Sequence, residues 1–334
     1  MKVTIKDVAK EAGVSPSTVS RALQNNPRIS QAVRDRIRQI ADDMGFRPNQ
    51  MARSLVNRQT RVIGVVFPAN LSHSLSHPFY PKALQGLGQV AAERNHYVLM
   101  GTGKEGQSTT DVVNLLADSG YVSGLVLLAA QEELPPLHGL PAVVIGRPPT
   151  ESDCYHVDNN NVSVGEEATR YLIDRGHRKI MLLGYDKQFV VTSDRRKGYE
   201  QALAKSGIPF RREWVVPTRF LNDDTDQEVL LSIFRDPDRP TAVVCMDDNQ
   251  AIALCACLQS LGLSVPEDVS LISFNNTMAG KLNNPPLTSF DVNPYQLGAS
   301  AMEMVLDLIS EKECPLCVEV PFLLKERGSV APIN

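Results

Sequence analysis

The sequence predicts an α/β protein in which a small all-α headpiece precedes a two-lobed body of doubly wound parallel sheets. Three observations point there. Residues 1–60 read as short helices with a surplus of basic side chains. From Arg61 onward, apolar runs of strand length alternate with amphipathic helical stretches. That alternating series runs once and then begins again, so two sheets are the economical arrangement. The resulting boundaries are 1–47 for the headpiece, 48–60 for a connecting segment and 61–330 for the body. Within the body, one lobe takes about 61–160 plus 292–317 and the other about 161–291 plus 318–330.

Composition narrows the class further. With 334 residues, 43% hydrophobic and 22% charged, the chain is globular and has room for two or three packed units. No stretch reaches the roughly 20 uninterrupted apolar residues of a membrane span. The start, MKVTIKDVAKEAG, is charged within its first turns, unlike a signal peptide, so a cytoplasmic protein without a membrane partner is expected. Six cysteines at 154, 245, 255, 257, 314 and 317 lack the spacing of a disulfide framework. Cys314-Pro-Leu-Cys317 has zinc-knuckle spacing but no second pair, and His73 and His77 in LSHSLSHP read as loop residues, so neither a metal nor a cofactor is expected. The formal charge of −4 hides an asymmetry: Met1 to Arg61 holds 12 Lys and Arg against 5 Asp and Glu, a balance of +7, leaving 22 against 33, or −11, elsewhere. A basic unit on an acidic body suits contact with a polyanion.

In the headpiece, Thr4 precedes IKDVAKEA, whose Ile5, Val8, Ala9 and Ala12 share one helical face before Gly13 stops the helix. Ser15 can then accept a backbone N–H as N-cap, and Pro16 takes the first helical position, where its missing N–H costs nothing. On this second helix Val19, Ala22 and Leu23 turn inward, leaving Ser17, Thr18, Ser20, Arg21 and Gln24 outside. A third helix follows, with Ser30 as cap, Val33, Ile37, Ile40, Ala41 and Met44 at helical spacing, and Gly45 as terminator. Two short helices around a tight turn, braced by a third, make a helix-turn-helix, whose second helix enters a DNA major groove. Pattern alone fits a small helical bundle with a polar face as well.

The run TIKDVAKEAGVSPSTVSRALQNNPRIS, continued by GFRPNQMARSLV, strongly resembles the N-terminal signature of the LacI/GalR family of bacterial transcription regulators. The resemblance implies that Pro16, Ser17 and Arg21 hold the main base-reading positions, the proline through apolar contact only. It places Ser15, Thr18, Ser20 and Asn25 near backbone phosphates. The segment opened by Pro48 and Asn49 spans only about two helical turns, too short to be stable alone in water. By the same resemblance it is a hinge helix that folds on the operator beside its twin from a second subunit, with Asn49, Ala52 and Leu55 contacting DNA and Leu55 wedged into the minor groove.

In the body, RVIGVVFP, HYVLMG, SGLVLLAA and AVVIG read as strands, with helices in PKALQGLGQVAAERN and TTDVVNLLADSG. The second series has strands KIMLLG, EWVVP, TAVVCM and DVSLISF, with helices near 162–175, 194–206, 223–234 and 249–261. Open parallel sheets bind ligands at the carboxyl ends of their strands. The loops there carry Phe79 and Tyr80, Arg147, Arg195, Asp247 and Asp248, and Asn275 and Asn276. Aromatic faces beside carboxylates, amides and guanidiniums suit a sugar, whose hydroxyls take paired hydrogen bonds and whose C–H face stacks on rings. Each residue alone also fits a bland role as surface arginine, helix cap or core aromatic.

The body resembles the family's periplasmic-binding-protein-like effector domain. HPFYPKALQGL puts Phe79 and Tyr80 at its pocket aromatics, DRRKGYEQAL puts Arg195 at its effector-binding arginine, and MDDNQAIA puts Asp247 and Asp248 at its Asn/Asp pair. Phe220 stands where sugar-responsive members have a stacking aromatic. Asn275 in SFNNT replaces a commoner aspartate, and Arg147 in GRPP lacks the acidic residue often found before it. FPANLSHSLSHPFYP and SFNNTMAGKLNNPPLTSFDVNPYQLG are most similar to the maltose-operon repressors of the family, implying maltose or another α-glucoside as the leading effector, with a different sugar or a corepressor as the alternative. A homodimer on a palindromic double-stranded operator is expected, because one headpiece reads only a half-site. The tail LLKERGSVAPIN shows no heptads for a tetramer.

An enzyme is not expected, since the sequence has no G-x-S-x-G elbow, no phosphate-binding P-loop and no metal-spaced histidine pair on a helix. A sugar-binding transport protein would account for the body but not for the basic headpiece.

Overall fold

The computed structural model describes residues 3–46, 60–68, 75–103, 107–128, 134–148, 153–185, 189–218 and 224–333. They fall into two units, residues 1–60 and 61–334. Asn49, Ala52 and Leu55, expected to form a hinge, lie outside the described residues together with His73 and Phe220.

The first unit holds α1 (Ile5–Ala12), α2 (Pro16–Leu23) and α3 (Gln31–Asp43). Thr4 closes the start of α1 by donating its N–H and hydroxyl to Asp7 Oδ2, at 2.8 and 2.7 Å. Gly13 ends α1 in the left-handed region at φ +67°, where a side chain would be strained. Val8, Ala9, Ala12, Val19, Ala22, Ile37 and Ala41 form one small core. Val33 departs from the inward stripe read from the sequence. It is 37% exposed, and the buried face of α3 begins one turn later at Ile37.

The second unit contains β1 (Val62–Val66), α4 (Phe79–Glu93), β2 (Tyr97–Gly101), α5 (Thr109–Asp118), β3 (Gly124–Leu127), β4 (Ala142–Ile145), β5 (His156–Asp158) and α6 (Asn161–Ile173). It continues with β6 (Ile180–Tyr185), α7 (Val190–Lys205), β7 (Val215–Thr218), α8 (Asp224–Arg235), β8 (Ala242–Cys245), α9 (Asp248–Ser260) and β9 (Ser270–Phe274). The last elements are α10 (Met278–Leu282), β10 (Thr288–Asp291), α11 (Pro294–Ile309), β11 (Cys317–Glu319) and β12 (Leu323–Lys325). One sheet runs β11-β5-β4-β3-β1-β2 and the other β12-β10-β9-β8-β6-β7. All neighbours are parallel except β12, which is antiparallel to β10. Leaving out β11 and β12, both lobes repeat one winding order, with the direction of winding reversing between β1 and β3 and between β6 and β8.

Central strands such as AVVI of β4 and AVVC of β8 are buried throughout, because helices cover both faces of each sheet. The strands and helices expected within 1–47 and 61–330 are present, the helix expected in 48–60 lies outside the described residues, and β5, β10, β11, β12, α10 and α11 are additions that the sequence pattern does not single out. These short pieces carry the chain between lobes three times: after β5, after β10 and after β11. Asn159, in the first crossing, donates both side-chain N–H groups, to the carbonyls of Val292 (3.1 Å) and Val320 (2.7 Å) in the other two. Among the described residues no helix is long and apolar enough to cross a membrane.

His177, 2% exposed, anchors the C-terminal strap. Its Nδ1 lies 3.1 Å from Thr241 Oγ1 and its Nε2 3.0 Å from the Ala331 carbonyl, which satisfies a neutral ring donating to the carbonyl and accepting from the hydroxyl. Burial pushes its pKa below the ordinary value, against a smaller opposing pull from that carbonyl. The folded chain therefore binds this proton less readily than the unfolded chain. The stabilisation is present above about pH 6.5 and is lost as pH falls toward the folded-state value. Urea midpoints of the wild type should drop on acidification, and His177→Gln should remove part of that drop; parallel profiles for the two proteins would rule His177 out as the cause.

Candidate functional site

Helix α2 presents one polar face. Ser15 Oγ accepts the Thr18 N–H at 3.2 Å and lies 2.8 Å from both Ser17 Oγ and Thr18 Oγ1, so the predicted cap also ties together the hydroxyls at the helix start. Pro16, Ser17, Arg21 and Gln24 are exposed, with Thr18 and Ser20 partly so, while Val19 and Ala22 are fully buried behind them. Arg21 has no ion pair among the described residues, and Asn25 follows the helix in the left-handed region at φ +59°. Arg34 of α3 braces this end by donating to the Asn25 carbonyl at 3.0 Å. The face is thus built from the core outward: two small buried residues let α2 pack closely, and everything that can hydrogen-bond points away.

In the body, polar groups from both lobes meet at the carboxyl ends of the strands. Arg195 lies on α7, whose Gly198 packs against α6 so closely that a Cβ there would stand 2.0 Å from the Val162 carbonyl oxygen. This approach sinks Arg195 to 7% exposure. Its Nε donates to Asn161 Oδ1 and its Nη1 to the Met246 carbonyl, both at 3.0 Å, and the guanidinium lies 4.2 Å from the centre of the Phe274 ring. Nη2 has no protein partner among the described residues. Burial lowers the Arg195 pKa to about 10, against the pull of Asp158 and Asp247, so the group stays charged at neutral pH.

Asn161 connects Arg195 to Asp158, whose Oδ1 accepts from Asn161 Nδ2 (2.9 Å) and the Asn159 N–H (2.8 Å). Asp158 Oδ2 accepts the Arg147 N–H at 2.9 Å. Burial pushes the Asp158 carboxyl up to about 6, although those backbone N–H groups and Arg195 favour its charged form. Arg147 itself reaches across to the other lobe. Its Nε and Nη2 grip both oxygens of Asp194, at 2.9 and 2.7 Å. The arginine expected to await a ligand is therefore engaged by a carboxylate that the sequence motifs leave unnamed.

Asp247 caps α9, its Oδ1 accepting the Gln250 N–H at 2.8 Å. Its Oδ2 takes two further donors: the Tyr185 hydroxyl from the same lobe, and His77 Nε2 from the opposite lobe at 2.9 Å. Burial opposes the charge on Asp247, but His77, Tyr185 and the Gln250 amide outweigh it and hold the carboxyl below its usual value. Tyr80 lies edge-on to both His77 (5.6 Å between ring centres) and Phe79 (5.4 Å), which brings the predicted aromatics into the same cluster. Asp248 is spent on the fold: it is fully buried and accepts from Ser273, Ser289 and the Thr277 N–H. Asn275, at φ +91°, bonds through its backbone to Phe290 while no described residue engages its side-chain amide; Asn276 is tied to Asp291 and Arg327.

Of the expected cleft residues, Tyr80, Phe79, Asp247 and Arg195 are thus linked through shared neighbours. Tyr185, Asp158, Asn161 and Asp194 escape the sequence reading, which also sets His77 aside. The run VDNNN after a strand, with four consecutive hydrogen-bonding side chains, is the available signal for two of these.

Comparison with known proteins agrees with both units. Residues 4–49 match the bacterial regulatory proteins of the lacI family, and residues 169–330 match the periplasmic binding protein-like domain. Over 319 residues, 94% of each chain, the protein is 33% identical to the HTH-type transcriptional regulator MalR of Streptococcus pneumoniae. The chain belongs to the LacI family of bacterial regulatory proteins. It is a DNA-binding transcriptional regulator, and its likeness to the maltose-operon repressors rests on the MalR match. The HTH-type transcriptional repressor PurR of Vibrio vulnificus is 30% identical over 317 residues, 93% of each chain. Among solved structures, the transcriptional regulator CelR in complex with cellobiose superposes with a TM-score of 0.73 at 26% identity, over 98% of this chain and 100% of that one. These relatives are regulators, not enzymes.

Proposed function

We propose that the protein is a dimeric repressor of sugar-utilisation genes whose hold on a palindromic operator is switched by maltose or another α-glucoside. One arrangement carries the sugar reading. A carboxylate (Asp247) and a charged guanidinium (Arg195) whose Nη2 has no partner among the described residues are linked through shared neighbours with the aromatic cluster of Phe79 and Tyr80 at strand ends from both lobes, and Asn275 follows β9 with no described residue on its side-chain amide. Such a set offers paired donors and acceptors to hydroxyls and ring faces to sugar C–H groups. The MalR match, and the disaccharide held by CelR, support an effector of this size.

A second copy is expected along the body. Tyr97, Leu99 and Met100 are exposed on the edge strand β2, with exposed Leu115 and Tyr121 nearby in sequence on and after α5. In the other lobe Met278 and Leu282 of α10 are exposed as well. An apolar sheet edge left open is an aggregation hazard unless a partner covers it. In the switch, the sugar favours one arrangement of the lobes, the paired segments 48–60 lose their ordered form, and Leu55 leaves the minor groove. The coupling equals the difference in sugar affinity between the two states.

Sedimentation of the full chain should give a dimer mass. Gel shift with a palindromic duplex should show salt-sensitive binding that maltose releases. DNA binding that no α-glucoside alters would remove the effector assignment, and a monomer that binds no duplex under any ligand condition would remove the repressor itself.

A further inference from the structure

Among the described residues, two pairs of ionisable side chains bridge the lobes. Arg147–Asp194 is the more open, with the arginine side chain 48% exposed, and water screens such a pair. His77–Asp247 is shut away, with side-chain exposures of 18% and 2%. The imidazole is also oriented: the Phe79 N–H approaches Nδ1 at 3.4 Å, which leaves Nε2 to carry the proton toward Asp247. The rings of Tyr80 and Tyr185 stand 5.6 and 6.5 Å away and fix its plane. An Nε2–H directed at a carboxylate oxygen makes the same kind of bond that a sugar hydroxyl would make there.

We propose that His77 is a specificity-determining residue of the cleft: it holds, from the opposite lobe, the Asp247 oxygen that a ligand hydroxyl must take over. The inference rests on the reading of Asp247 as a sugar contact. His77 clasps the lobes together, and a ligand binds tightly only if its hydroxyls replace that bond. A molecule of the right size without a suitably placed hydroxyl leaves the clasp shut and is refused. Tyr185 cannot play this part, because it donates to the same oxygen from Asp247's own lobe.

The test uses the full-length chain, with calorimetric titration of maltose and small-angle scattering of the ligand-free protein. His77→Ala is expected to open the ligand-free lobes and to bind maltose about fivefold more tightly, since the fraction of molecules competent to bind rises. His77→Gln, which keeps an N–H donor at similar reach, should restore both the closed scattering profile and the wild-type affinity. Weaker binding by His77→Ala would make His77 a direct sugar contact and overturn the proposal, as would an unchanged scattering profile. If the wild type binds no α-glucoside, the effector assignment fails. The clasp is then decided by scattering alone, where opening in His77→Ala and reclosure in His77→Gln support it, and any other pattern overturns it.

Discussion

Arg195→Ala is expected to raise the maltose concentration needed for operator release by roughly 100-fold, because a charge-assisted hydrogen bond contributes about 1.5–3 kcal/mol and the guanidinium fork can make more than one. The rival account is that Arg195 only braces the fold, since Nε and Nη1 already bond Asn161 and the Met246 carbonyl. The two accounts predict different things. Removing a brace lowers the unfolding midpoint and leaves the maltose response of the folded fraction where it was. Removing a group that binds the sugar moves the response even after correction for stability. Arg195→Lys sharpens the distinction: lysine keeps the charge but not the planar fork, so it should recover less than about a tenth of the missing affinity if two N–H groups meet the sugar. A release curve for Arg195→Ala that overlays the wild type would take this residue out of the site.

What can be read from the sequence is whatever is local. The cap at Ser15, the proline at the first turn and the stop at Gly13 act within four residues of themselves, and the structure shows each doing so. The apolar runs of β1, β3, β4, β6, β8 and β9 are legible because burial on both faces demands continuous hydrophobicity. The short strands HVD, TSFD, CVE and LLK carry no such demand. They lie toward the sheet margins and serve as crossings between lobes, so their residues look like loop.

The cleft is half legible for the same reason. Motifs locate Arg195 and Asp247, but the partners of polar groups lie far along the chain: Asp194 is 47 residues from Arg147, and Asp247 is 170 from His77. Spacing within LSHSLSHP raises only a metal question about His77, and the answer needs the opposite lobe. Asp248 shows the reverse error of adjacency. It stands beside Asp247 in the sequence, yet its carboxylate is consumed by two serine hydroxyls and a backbone N–H, and it holds the β9–α10 loop in place.

Arg21→Ala is expected to weaken operator binding by about 10- to 100-fold, corresponding to about 1–3 kcal/mol for a bidentate contact to a guanine edge. The side chain projects from the face opposite Val19 and Ala22 and has no ion pair to break among the described residues, so its removal leaves the headpiece core intact. A base-reading arginine and a phosphate-binding one separate in two measurements. Fluorescence anisotropy on operator and scrambled duplexes should show the weakening mainly on the operator, whereas an arginine that held a phosphate would weaken both alike and reduce the salt slope by about 1 when removed. Ser15→Ala supplies the contrast. Its hydroxyl accepts the Thr18 N–H, so removing it should cost about 1 kcal/mol of helix stability and lower the headpiece melting temperature. Equal weakening on both duplexes for Arg21→Ala would move this residue from the bases to the backbone, and base reading would then fall to Ser17 and the apolar edge of Pro16.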